Sequence, residues 1–71
     1  MERYYNLGGE SGVSSYEIGD NFITVVFSTG KTYRYSYGKA GRIHVEKMKE
    51  LAKSGRGLNS YINIYVKYDY D

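Results

Sequence analysis

From Lys31 to Tyr37 the chain alternates without a break. Lys31, Tyr33, Tyr35 and Tyr37 fall on one side, and Thr32, Arg34 and Ser36 on the other. A period of two is the mark of a β-strand. Two more strands are predicted upstream. Residues 22–27 read Phe-Ile-Thr-Val-Val-Phe, all β-branched or aromatic and apolar on both faces, which predicts a central strand. Residues 14–18 alternate over a shorter span. Gly19-Asp20-Asn21 and Ser28-Thr29-Gly30 supply the turns, since Gly and Asn tolerate positive φ and Asp bonds its own backbone. Three strands joined by two short turns make an antiparallel meander.

After Gly38-Lys39-Ala40-Gly41 the period changes. Ile43, Val45, Met48, Leu51 and Ala52 are expected on one helical stripe, with Glu46, Lys47, Lys49, Glu50 and Lys53 outside it. Glu46 with Lys49, and Glu50 with Lys53, are spaced as i,i+3 pairs. Gly55 and Gly57 end this helix. The C-terminal segment beyond them carries two patterns. Leu58, Tyr61, Ile62 and Tyr65 have helical spacing, whereas Ile62, Ile64 and Val66 alternate like a strand. The favoured reading is a short helix over about 58–63, then an extended segment over 65–70. Residues 1–12, with Gly8-Gly9-Glu10-Ser11-Gly12, are expected to be a flexible N-terminal tail. Residues 13–71 form one domain. The fold class is therefore α+β: a three-stranded antiparallel meander packed on an amphipathic helix, then a short second helix and a C-terminal extended segment.

Composition sharpens this picture. Tyr fills ten of the 71 positions, and the chain has no Trp, Cys or Pro. A Tyr ring fills a core while its hydroxyl meets water, so a tyrosine kept for packing looks like one kept for a ligand. Without Cys, disulfides and thiolate metal sites are excluded, and a domain this small without staples is expected in the cytoplasm. The N-terminus lacks the apolar core of a signal peptide, and no apolar run approaches the length of a membrane span. Net charge is +2, unevenly spread. Eight basic residues stand against two acidic ones between Lys31 and Arg56, with acidic segments on either side. Such a band attracts phosphate or an acidic partner.

The chemistry available is limited. His44 is the only His, no Ser/His/Asp set can be assembled around it, and no catalytic residue is expected. Glu46 and Glu50 are spaced i,i+4, but the flanking lysines make a solvated face the better reading than a metal site. No phosphate loop or metal-ligand spacing occurs, so neither metal nor cofactor is expected. Two features remain. The first is the Tyr33/Tyr35/Tyr37 row, read either as a buried face under the helix or as a stacking platform for bases. The second is the basic band, where Lys39 and Arg42 occupy a Gly-rich loop and Arg56 a turn, read either as a solvated surface or as phosphate contacts.

Residues from about Ser15 to Tyr70 resemble the KTSC domain family, named for its occurrence at the C-terminus of some lysyl-tRNA synthetases. The resemblance rests on Ser15 and Ile18, on Val25-Val26-Phe27 followed by Gly30, and on Tyr33-Arg34-Tyr35. It continues through Val45, Met48 and Leu51-Ala52, then Ser54-Gly55, Gly57-Leu58-Asn59 and Ile62, and closes on Tyr65 and Tyr68. The Val-Pro that family members place before the helix is absent, and this chain has a longer, Gly-rich entry. The resemblance implies a small bacterial or phage-associated domain whose molecular role is not fixed. The expectation is thus a non-catalytic module that binds nucleic acid, RNA first, through Lys31, Arg34, Tyr35, Lys39, Arg42 and Arg56. The alternative is a protein-interaction module. No membrane partner is expected.

Overall fold

The computed structural model describes residues 2–5 and 12–71. Strand-forming residues gather into one antiparallel sheet. It is built from β1 (Glu2–Arg3), β2 (Val13–Ile18), β3 (Phe22–Phe27) and β4 (Thr32–Ser36), in the order β1-β2-β3-β4. The strand with two apolar faces, β3, lies inside the sheet as its pattern predicts. Ile18 pairs with Ile23 and Ile23 with Tyr35, while Tyr16 pairs with Val25 and Val25 with Tyr33. Directly paired residues share a face, so this register makes one apolar side out of three strands. A bulge between Val13 and Ser15 lets both Val13 and Tyr16 be buried although they are three apart.

The sheet has four strands where three were expected. Two residues of the expected tail supply the extra one: Glu2 pairs with Tyr16 and Arg3 with Ser15. Tyr4 follows them into the core, only 3% exposed. Met1 and residues 6–11 of that expected tail lie outside the described residues.

The helical layer crosses the inner face of the sheet and returns. Helix α1 (Arg42–Ser54) starts beside β4, where Ser36 C=O accepts the N–H groups of Lys39, Ala40 and Gly41. Its buried stripe is Val45, Met48, Lys49 and Ala52. Gly55, left-handed at φ 78°, ends it and donates its N–H to Leu51 and Ala52 carbonyls. Helix α2 (Leu58–Tyr61) then begins at the far edge of the sheet, its Leu58 N–H bonded to the Tyr4 hydroxyl at 3.2 Å. The chain comes back to β4 at Asp71, whose N–H bonds Arg34 C=O at 2.7 Å.

Between these points the helix runs further than expected and takes in Tyr65 and Val66, the first two residues of the expected extended segment. Residues Ile62–Val66 continue α2 as a π-helical segment, and a turn comes next at Lys67 and Tyr68. Leu58, Ile62 and Val66 are all buried, at successive intervals of four. In an α-helix each interval of four overshoots a full turn by about 40°. The wider i→i+5 winding turns less per residue and offsets this drift, so all three stay under the sheet. Burial of this seam outweighs the strand-like alternation of Ile62, Ile64 and Val66, and leaves Ile64 71% exposed. The core is then Ile23, Val25 and Tyr35 from the sheet against Val45, Met48 and Ala52 of α1, with Leu58, Ile62 and Val66 beside them and Tyr4, Val13 and Tyr16 closing the far end.

Candidate interaction surfaces

Tyr35 is the clearest departure from the expected site. Its side of β4 is the buried one, and the ring is 1% exposed. No base can reach it, and Tyr35 leaves the stacking set. Burial, with Tyr33 and Tyr70 nearby, pushes its hydroxyl up to about 12. Tyr33 and Tyr37 on the same row are half-buried. Tyr33 packs edge-on against Phe27, with centroids 5.7 Å apart, and beneath Tyr70 at 4.5 Å.

The five expected cations are exposed. Lys31 precedes β4 and Lys39 comes after it, so the two mark opposite ends of one edge strand. Arg34 lies between them, its guanidinium 4.3 Å from the Phe22 ring centroid on the outer face. Arg42 opens α1, where its charge helps to lower the Glu46 carboxyl. Arg56 lies in the turn between α1 and α2, flanked by Gly55 and Gly57. The structure therefore places Lys31, Arg34 and Lys39 on one strand and its ends, with Arg42 just past Lys39 and close enough for its charge to act on Tyr37, and Arg56 beyond the end of α1.

Lys49, which the stripe pattern places on the solvated side of α1, is 8% exposed. A buried ammonium needs partners. It has Glu46 at 2.8 Å, the Asp20 carbonyl at 3.1 Å and the Tyr37 ring at 5.7 Å. Tyr37 donates its hydroxyl to the same Glu46 carboxylate at 2.5 Å. The hydrogen bonds from Lys49 and Tyr37 hold Glu46 below the usual carboxylate range, while the bond to Glu46 raises Tyr37. This network fastens α1 to the β2–β3 turn and withdraws Lys49 from any ligand. Glu50 pairs with Lys47 at 3.7 Å in place of the expected Lys53.

Winding the C-terminal segment as a helix creates a surface that an extended segment would not have. Tyr61, Ile64, Tyr65 and Tyr68 recur at spacings of three, one and three, the signature of one helical stripe. Ile64, Tyr65 and Tyr68 are 71%, 56% and 75% exposed. His44 of α1 joins them. Its Nδ1 lies 2.7 Å from the Tyr61 hydroxyl, and its ring stacks on Tyr65 with centroids 5.8 Å apart. Tyr61 and Tyr65 pack against each other at 4.6 Å, and burial raises the Tyr61 hydroxyl. The rings thus brace one another in fixed orientations while one side of the cluster stays in water. The helical spacing of Leu58, Tyr61, Ile62 and Tyr65 is the signal in the sequence that points to this stripe.

Among the described residues no group of three His, Cys, Asp or Glu side chains is placed to hold a metal ion. No helix of the described residues is long and apolar enough to cross a membrane. Comparison of the chain with family models, with curated proteins and with solved structures finds no match.

Proposed function

We propose that this chain is a non-catalytic protein-interaction module whose contact surface is the tyrosine stripe of the second helical segment. The observation that carries this reading is the exposure of Ile64, Tyr65 and Tyr68 side by side. Large apolar side chains in water are ordinary when scattered and informative when contiguous. Tyr is enriched at the centres of protein interfaces because it offers a wide rigid ring and a polar tip at little entropic cost. His44 and Tyr61 hold Tyr65 in place before a partner arrives, which lowers the ordering cost of binding.

The RNA reading draws less support from this geometry. Phosphate binding needs several cations converging near the stacking rings. Here Tyr35 is buried, Lys31 and Lys39 stand at opposite ends of β4, and the cation seen against the stripe among the described residues is Lys67, with its ammonium 5.5 Å from the Tyr68 ring. The KTSC resemblance, with its small bacterial or phage-associated domains, is compatible with either partner and remains part of this proposal.

Salt separates the two readings. Immobilised wild-type protein is expected to retain a protein partner from bacterial extract after a high-salt wash, and Tyr65→Ser with Tyr68→Ser is expected to release it. Labelled single-stranded RNA is expected not to bind at low salt. RNA binding that falls steeply with salt, and that Lys39→Ala with Arg42→Ala abolishes, overturns the proposal.

A further inference from the structure

The outer edge of β4 is chemically unfinished. Tyr37 donates its N–H to Asn21, and Phe27 donates to Lys31, so the odd-numbered residues of this strand face β3. In an antiparallel ladder the residues between them turn their N–H and C=O groups the other way. Thr32, Arg34 and Ser36 therefore address the open edge. Ser36 C=O is taken up by the turn into α1. Arg34 C=O accepts from Asp71, the one backbone bond among the described residues that reaches this edge from outside the strand and its turns.

The chain's own last residues show what chemistry the edge accepts. Tyr70 lays its ring on Tyr33 and edge-on to Tyr35, with centroids 4.5 and 6.5 Å away. Asp71 accepts the Ser36 hydroxyl at 2.7 Å while its N–H bonds Arg34. One main-chain bond, one ring seat and one carboxylate seat are set in register along the strand. Lys31, Arg34 and Lys39 are exposed along it, and none of them forms an ion pair among the described residues. Asp71 offsets part of this charge, and the positive remainder, with Lys31 and Lys39 at the two ends of the strand, suits an acidic strand.

We propose that the β4 edge is a strand-addition site for an extended acidic segment of another protein, with a tyrosine between two acidic residues, and that Tyr70 and Asp71 occupy part of it in cis. Addition of a strand supplies affinity through main-chain hydrogen bonds, and alternate side-chain seats supply selectivity. Thr32 N–H, Thr32 C=O and Arg34 N–H are the groups a longer strand would use beyond those the cis residues reach. The cis residues act as a competitor, so the apparent affinity for a partner is reduced by the fraction of molecules in which the edge is open. This site shares no residue with the tyrosine stripe, and either can fail alone.

The test is a titration followed by backbone amide shifts. The probe is an end-blocked peptide of sequence Lys-Tyr-Asp-Tyr-Asp, the order found at 67–71. It is expected to move the amides of Thr32, Arg34 and Ser36, and to bind Tyr70→Ser about tenfold more tightly than wild type, as release of an edge closed roughly nine-tenths of the time requires. Asp71→Ala, which leaves the tyrosine packing intact, is expected to show a smaller gain in the same direction. Thr32→Pro in the Tyr70→Ser background is expected to abolish binding, because proline fits an edge strand whose N–H faces outward but removes the donor. A peptide with Lys in place of both Asp is expected not to bind. Three results overturn the proposal: equal affinity for wild type and both opened variants, shifts that fall elsewhere, or self-association of Tyr70→Ser in place of peptide binding, which would make a second copy the occupant.

Discussion

Tyr4 serves two elements with one side chain. Its ring closes the core beside β1 and its oxygen takes the Leu58 N–H, one of the first-turn amides of α2 that has no partner within its own helix. Tyr4→Phe keeps the ring and removes the acceptor. It is expected to cost about 1–3 kcal/mol, the penalty of leaving a buried donor unpaired, read as a lower urea midpoint with unchanged slope. An unchanged midpoint would mean that water replaces the phenol. Tyr35 gives a pH dependence instead. Its folded-state pKa of about 12 lies above the ordinary 10.0, so the folded form holds its proton longer than the unfolded chain does. The stabilisation is fully present below pH 10.0 and is lost as pH rises towards about 12. Thermal melts across that window should show a falling midpoint, and Tyr35→Phe should make the fall shallower. Glu46 works in the opposite sense at the acid end. Its lowered pKa adds stability above the ordinary carboxylate value, and this is lost as pH falls through the folded one. At this scale the sequence misleads where a residue's neighbours decide its fate. The apolar pattern puts Ile43 on the buried stripe of α1, yet it is 82% exposed, because it is two residues from Val45 and thus on the opposite side of the helix. The same pattern gives Lys49 to solvent, yet it is buried, since a carbonyl from the β2–β3 turn and a carboxylate one turn back receive it.

The elements are legible in proportion to their length. Strands β2 to β4 and helix α1 can be read from period and turn chemistry alone, each within a residue or two of its expected bounds. Strand β1 is not legible, because two residues carry no period and their strand character comes wholly from pairing with Tyr16 and Ser15. The helix is expected to stop near residue 63 because Ile62–Val66 satisfies both periods, and only the seam with Leu58 carries the helical winding on to Val66. Gly55 is where element boundaries rest on a single conformation. At φ 78° it reverses the chain between α1 and α2. Gly55→Ala is expected to lose about 1 kcal/mol or more, since a side chain in the left-handed region is strained, with the loss measured by chemical denaturation. Gly19 is constrained differently. A Cβ there would overlap the Phe22 ring. Gly19→Ala should therefore displace that ring and the Arg34 guanidinium above it, visible as shift changes at both residues in an NMR spectrum.

For the molecule as a whole, the fold and the proposed contact surface draw on different tyrosines. Tyr4, Tyr16 and Tyr35 are core residues, whereas Tyr65 and Tyr68 belong to water. Tyr65→Ser with Tyr68→Ser should accordingly leave stability within about 0.5 kcal/mol per exposed position while removing partner retention. A large loss of stability would assign the stripe to folding instead of recognition. The expected basic band is visible in the sequence as a run, and in the fold its residues divide among the two ends of β4, the start of α1 and the turn after it. The bond between Tyr4 and Leu58 spans 54 positions, and Asp71 must arrive before the open side of β4 is reached at all. Each of these contacts joins segments far apart in sequence, so neither forms until both of its segments are present. A chain cut before Leu58 would leave the sheet without the cover that Leu58, Ile62 and Val66 provide.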